Sequence, residues 1–132
     1  MATMPTKEQI EEFLSGPPDR PVVMLNMLRF KARADQETHP GLSGAEAVMS
    51  YSKAMKEFVE ARGGSFVLAA TIDSQLIGDG GEGFEFVGIM RYPSRSKYIE
   101  LAGDPEVART IGKHREAGLE SQWLFAMTEV TE

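Results

Sequence analysis

The sequence predicts an α+β fold built on a four-stranded antiparallel sheet. Three observations point there. Two stretches show capping-box spacing followed by an amphipathic run. The segment 21-PVVMLNMLRFK-31 is apolar at both odd and even positions. Two extended runs, 66–77 and 84–92, are joined by the glycine-rich turn 78-GDGGEG-83.

Taken in order, Thr6 with Gln9 three residues on opens a short helix to Leu14, with Ile10, Phe13 and Leu14 on one face. Gly16-Pro17-Pro18 stops it. In the strand 21–31, Val22, Met24, Leu28 and Phe30 share one face, and Val23, Leu25 and Met27 share the other. A strand apolar on both faces needs a layer against each. Residues 32–41 are polar and aperiodic, a loop.

Ser43 with Glu46 starts a long helix to about Arg62, with Val48, Tyr51, Met55, Phe58, Val59 and Arg62 inward and Gly63-Gly64 as a left-handed cap. A strand over 66–77 comes next. Its even positions Phe66, Leu68, Ala70 and Ile72 are apolar; its odd ones grow small and polar through Asp73 and Gln75, as a cavity wall would. The third strand is 84-FEFVGIMRY-92. Pro93-Ser94 opens a short helix with Tyr98, Ile99 and Leu101, and Asp104-Pro105-Glu106 opens another with an aspartate cap and proline at the first position. The last strand is expected near 122–130. The order (α)βαββαβ is that of a ferredoxin-like fold with an extra N-terminal helix. A single domain over 1–132 is expected, residues 1–20 forming the N-terminal helix and linker.

The totals exclude several function classes. With 20 acidic against 14 basic residues, the net charge of −6 argues against nucleic acid, whose phosphates need a basic face. No cysteine is present, which removes disulfides, thiolate metal sites and thiol nucleophiles. The polar N-terminus is no signal peptide, and no apolar run reaches the roughly 20 residues of a membrane span. The expectation is a cytoplasmic protein with no membrane partner.

Two crossover helices cover one face of such a sheet. The other would expose a large apolar patch, and two sheets packed face to face would cover it. A homodimer is therefore expected. The run 21-PVVMLNMLRFK-31, the segment 91-RYPSRSKYIELAGDPE-106 and 114-HREAGLESQWLFA-126 together resemble the DUF1330 family of the dimeric α/β-barrel superfamily. The resemblance runs from Pro21 to the C-terminus and implies a ferredoxin-like fold with two sheets pairing in a dimeric α/β barrel. It implies no settled activity. The wider superfamily holds cofactor-independent monooxygenases, chlorite-dismutase-like haem proteins and muconolactone-isomerase-like enzymes, which hold small ligands between helices and sheet or within the barrel. The His114-Arg115 pair belongs to the motif of the resemblance.

Among candidate site residues, Ile111 lies three and Val107 seven positions before His114, so the histidine is expected to continue a buried helix face. It is the candidate catalytic base, set against a structural role near a helix C-terminus. Arg115 is the candidate anion anchor, and Asn26, Tyr51 and Asp73 are candidate ligand-orienting groups. By parity Asn26 and Arg29 leave their strand on opposite faces; the expectation for Arg29 is a hydrogen bond to a neighbouring strand or an intersubunit ion pair. The glycines 78–83 lead into a strand rather than a helix, so they read as a hairpin and not a phosphate cradle. With two histidines, a histidine-rich metal site within one subunit is not expected, and haem is disfavoured. No flavin or nicotinamide fingerprint occurs, so any chemistry would be cofactor-independent.

Two functional readings result. In one, the protein binds or acts on a small, largely apolar molecule with a polar handle, by an oxygenase- or isomerase-like activity if it is an enzyme. In the other, it is a non-catalytic structural or interaction homodimer, and the same polar residues tie helix to sheet.

Overall fold

The computed structural model describes residues 3–130. Helix α1 spans Lys7–Leu14, and the Thr6 side chain and Gln9 make both bonds of the expected capping box. Strand β1 (Val22–Phe30) leads through a loop to helix α2 (Gly44–Glu60), capped reciprocally by Ser43 and Glu46. Gly63 has φ +94, the left-handed conformation that ends α2. Strands β2 (Ser65–Thr71) and β3 (Phe86–Tyr92) form an antiparallel pair. Helix α3 (Arg95–Ala102) comes after them, capped by Ser94. A π-helical turn, Val107–Ile111, runs into helix α4 (Gly112–Gly118), which passes directly into strand β4 (Leu119–Met127).

The four strands form one antiparallel sheet in the order β2-β3-β1-β4, the ferredoxin-like arrangement expected for βαββαβ. The covered face of β1 presents Val22, Met24 and Leu28. The first two pack with Met55 and Val59 of α2 and with Leu101 and Val107, and Leu28 packs with Val48 and Leu119. A third, all-alanine contact joins Ala34, Ala47 and Ala117. There α2 and α4 approach so closely that a Cβ on Gly44 would lie 2.8 Å from the Gly118 carbonyl oxygen and nearer still to that of Lys31.

Four expectations change. Strand β2 ends at Thr71, so Asp73 and Gln75 lie in a loop over 72–85 rather than on a strand wall. Its register also slips between Phe66 and Leu68. Phe66 pairs with Met90, then Leu68 pairs with Ile89 and Ala69 with Gly88. One bulged residue thus turns Leu68 and Ala70 to the open face and Ala69 and Thr71 to the covered one, so Phe66 no longer shares a face with Leu68 and Ala70. Strand β4 begins three residues before the expected start at 122, because α4 feeds it without a loop. Lastly, the π turn inserts an extra residue into the helix and rotates the residues of α4 relative to the turns before it. Ile111 still packs on the core, but Arg115, not His114, continues inward.

No helix of the described residues is long and apolar enough to cross a membrane.

Candidate functional site between helices and sheet

The site starts from one polar residue in an apolar strand. Asn26 lies on the covered face of β1, opposite Gly88 of β3 on one side and Leu124 of β4 on the other. Its side-chain amide donates to the Gly88 carbonyl at 3.1 Å and, more weakly, to that of Met24 at 3.4 Å. Those two carbonyls accept only, so the Asn26 amide nitrogen must face them and its oxygen must face away. That oxygen accepts from Gln122 Nε2 at 2.6 Å, and Gln122 Oε1 accepts from Arg115 Nη2 at 2.6 Å. The polarity of the whole chain is fixed by the sheet carbonyls at one end and the guanidinium at the other.

Arg115 also donates to the Thr3 carbonyl and approaches Met4 Sδ at 3.9 Å. Beside it lies a cavity of about 300 Å³ bounded by Thr3, Met4, Lys31, Arg115 and Leu119, with Glu116 and Glu120 at its rim. Neither glutamate makes an ion pair with Arg115 among the described residues.

Three tyrosines close on this chain from the other side. They are all the tyrosines the protein has. Tyr92 and Tyr98 meet edge to face at 4.9 Å, and Phe13 of α1 meets Tyr98 at 5.4 Å. Burial pushes the Tyr51 phenol up, against an opposing pull from the Arg115 charge. Burial, then the neighbouring Tyr51, raises Tyr98 to about 12, again opposed by Arg115. Tyr92 is raised further, by burial first and then by the two other phenols. All three are therefore neutral O–H donors at physiological pH.

Tyr92 Oη reaches Met90 Sδ at 4.0 Å, whereas the Tyr51 and Tyr98 hydroxyls have no partner among the described residues. Neither is sealed in, since the enclosed, unpartnered side-chain oxygen among those residues is Ser121 Oγ. Their hydroxyls end in accessible space.

The floor under that space is short of side chains. The covered face carries, from strand to strand, the row Ala69, Gly88, Asn26, Leu124. A Cβ built on Gly88 would touch only Phe86, at 3.7 Å. The covered face is thus thin in side chains from Ala69 to Asn26, and Asn26 links that row through Gln122 to Arg115.

Of the residues marked by sequence, Asn26 and Arg115 meet through Gln122, and Tyr51 is close enough to feel the arginine's charge. His114 goes elsewhere. Its Nδ1 lies 2.8 Å from His39 Nε2, the rings edge to face at 5.0 Å, and His39 Nδ1 meets Thr38 Oγ1 at 2.8 Å. One of the two imidazoles must be neutral to accept that bond. The pair joins the 31–43 loop to α4. Asp73 is exposed in the 72–85 loop, lining a separate depression of about 430 Å³ with Gln75, Glu82 and Phe84. Arg29 points to the open face as parity required, but its partner is the Glu82 carbonyl, at 2.6 Å from Nη2, with Phe84 stacked 3.9 Å beneath.

Sequence reasoning missed Gln122, Tyr98 and Gly88. Two of them carried a signal: Gln122 is the polar residue directly before the apolar run 123-WLFAM-127, and Gly88 breaks 86-FVGIMRY-92. No group of three or more His, Asp or Glu residues that could hold a metal ion occurs among the described residues.

Two crystal structures of the RPA0582 protein, described as a protein of unknown function from Rhodopseudomonas palustris, share this fold. The methylated form matches with 32% identity and a TM-score of 0.84 over 98% of this chain and 96% of that one. The other matches with 32% identity and a TM-score of 0.81, over 98% and 97%. The chain belongs to the RPA0582 family. The match to the RPA0582 structures runs nearly end to end, so helix α1 and the 72–85 loop fall within the shared length. No family model and no curated protein matches the chain.

Proposed function

We propose that the protein is a homodimer that binds, or acts on, a small and largely apolar molecule in the slot between helices and sheet, without a redox cofactor. The observation that carries this reading is the pair of hydroxyls, of Tyr51 and Tyr98, with no partner among the described residues, on a covered face whose row Ala69, Gly88, Asn26 is poor in side chains. Hydroxyl donors that meet no protein partner beside an apolar layer are what a ligand with a polar handle would use. Asn26, Gln122 and Arg115 hold one another in a fixed polarity, which preorganises the site. Any turnover would be oxygenase- or isomerase-like and would draw on the bound molecule's own reactivity together with these donors. His114, tied to His39, acts in this reading as a brace for α4.

The dimer rests on the other face of the sheet. Leu68, Trp123 and Phe125 are 48%, 43% and 48% exposed there, beside half-buried Leu25, Met27, Val87 and Ile89. Pairing two such faces would form a dimeric α/β barrel and would place the protein with DUF1330. The same exposed face also favours a second reading, a non-catalytic interaction dimer, in which the polar chain only ties helix to sheet.

Native mass spectrometry of gently purified protein tests both parts. A dimer with added small-molecule mass supports the proposal. A bare dimer turns the balance to the interaction reading, and a monomer removes the barrel.

A further inference from the structure

Arg115 is a half-buried cation that pairs with no carboxylate among the described residues. Among the described residues its acceptors are two neutral oxygens, those of Thr3 and Gln122, and one thioether sulfur, that of Met4. Sulfur is a weak acceptor, and a guanidinium is built for the two parallel bonds of a carboxylate. Lys31 adds a second cation to the same cavity, its Nζ held by the Glu116 carbonyl at 3.2 Å.

The groups that stand in for an anion come from the start of the chain. The Thr3 carbonyl presents an oxygen to the guanidinium, and the Met4 side chain adds a flexible apolar tail beside it. Little else holds this segment. No backbone hydrogen bond ties residues 3–5 to the rest of the fold among the described residues, and Met4 is 72% exposed. The anchored part begins at Thr6, with the α1 cap. At the helix's other end Arg95 donates to the Phe13 carbonyl at 3.0 Å. A fixed helix thus carries a loosely held strap across the mouth of the site.

We propose that the Thr3–Met4 segment is an intramolecular stand-in for the carboxylate end of a small apolar acid, which enters by displacing it from Arg115. This rests on the pocket reading above and names the ligand class for it. The carboxylate takes both Nη atoms of Arg115, and the apolar body takes the space that Met4 leaves in the cavity beside Lys31 and Leu119. No bond is made or broken in the exchange. The segment and the acid compete, so the full chain binds more weakly than one whose segment is absent, in proportion to the fraction of open sites.

The test uses benzoate as probe and neutral benzamide as control, with calorimetry and methionine-methyl NMR on the full chain. The Met4 resonance is assigned with Met4→Leu, and a chain lacking residues 1–4 is measured in parallel. The proposal expects benzoate, but not benzamide, to move the Met4 methyl signal. It also expects binding to tighten about tenfold on truncation and to disappear in Arg115→Gln. Arg115-dependent benzoate binding with an unmoved Met4 signal and no effect of truncation overturns the strap and leaves the pocket standing. Binding of benzamide as well as benzoate overturns the carboxylate assignment alone. Binding of neither, to either chain, overturns this inference and counts against the pocket reading for aromatic ligands.

Discussion

The two faces of the sheet are built from the same strands and are treated oppositely. On the covered face of β1, Val22, Met24 and Leu28 are at most 7% exposed beneath the helices, yet the row through Asn26 and Gly88 is left thin and polar. On the open face, Trp123 and Phe125 stand next to each other at 6.3 Å and no helix covers them. One face therefore has a polar gap within an apolar layer, and the other has an apolar layer that no helix covers, with only Phe84 and Arg29 packed on it at Trp123. Polar groups inside a packed layer preorganise a small site, whereas a continuous apolar face calls for a second surface.

The strongest way to break this contrast is Trp123→Asp combined with Phe125→Asp. If the open face pairs with its copy, light scattering should move from the dimer to the monomer mass, because each charge would be buried against an apolar partner at several kcal/mol. An unchanged dimer would place the interface elsewhere.

Neighbouring residues on β1 compare the faces more finely. Leu28→Ala should cost about 2–5 kcal/mol in urea unfolding at any protein concentration, since it empties a packed position. Met27→Ala, one residue along, should cost much less at low concentration and more as concentration rises. A concentration-independent loss equal to that of Leu28→Ala would mean the open face is already covered within one chain.

The tyrosines offer a pH test of the covered face. Their folded pKa values are raised above that of an exposed phenol, so the stability they contribute is intact below about pH 10 and is lost as pH climbs toward and past 12. A titration monitored by tyrosinate absorbance should show no phenol ionising near pH 10 in the native protein, and a cooperative rise with unfolding above it. One phenol titrating normally would mean the slot is more open to water than its walls indicate.

The smallest stability effect should come from Gly88→Val. A Cβ there meets only Phe86 and valine suits a strand, so the melting temperature should stay within the range of a change of about 0.5 kcal/mol. Ligand capture in the slot should nevertheless be lost. A bound mass that survives this substitution would put the ligand outside the slot.

How much of this was legible in the sequence can be traced residue by residue. The caps at Thr6 and Ser43, the helix start at Pro93-Ser94, the glycine stop at Gly63 and the opposite faces of Asn26 and Arg29 all rest on bonds or parities spanning a few residues. They read correctly for that reason. Arg115 was marked, but in second place to His114. Ideal helical counting from Val107 gave the inner position to the histidine, and the π turn passed it to the arginine. Asp73 was assigned to a strand wall by unbroken alternation, which the bulge after Phe66 and the early end of β2 removed.

The sequence by itself determined where helices begin, which strand is apolar on both sides, and the order of elements. Those features depend on hydrogen bonds and side-chain periods within one turn or one strand. Tertiary structure decided the rest. A bulge and a π turn each add one residue without a compositional mark, and each shifts the face of every residue after it. The Asn26–Gln122–Arg115 chain and the His39–His114 pair join residues that are distant along the chain. Nothing local specifies such partners. Only closure of the sheet between β1 and β4 brings them within reach.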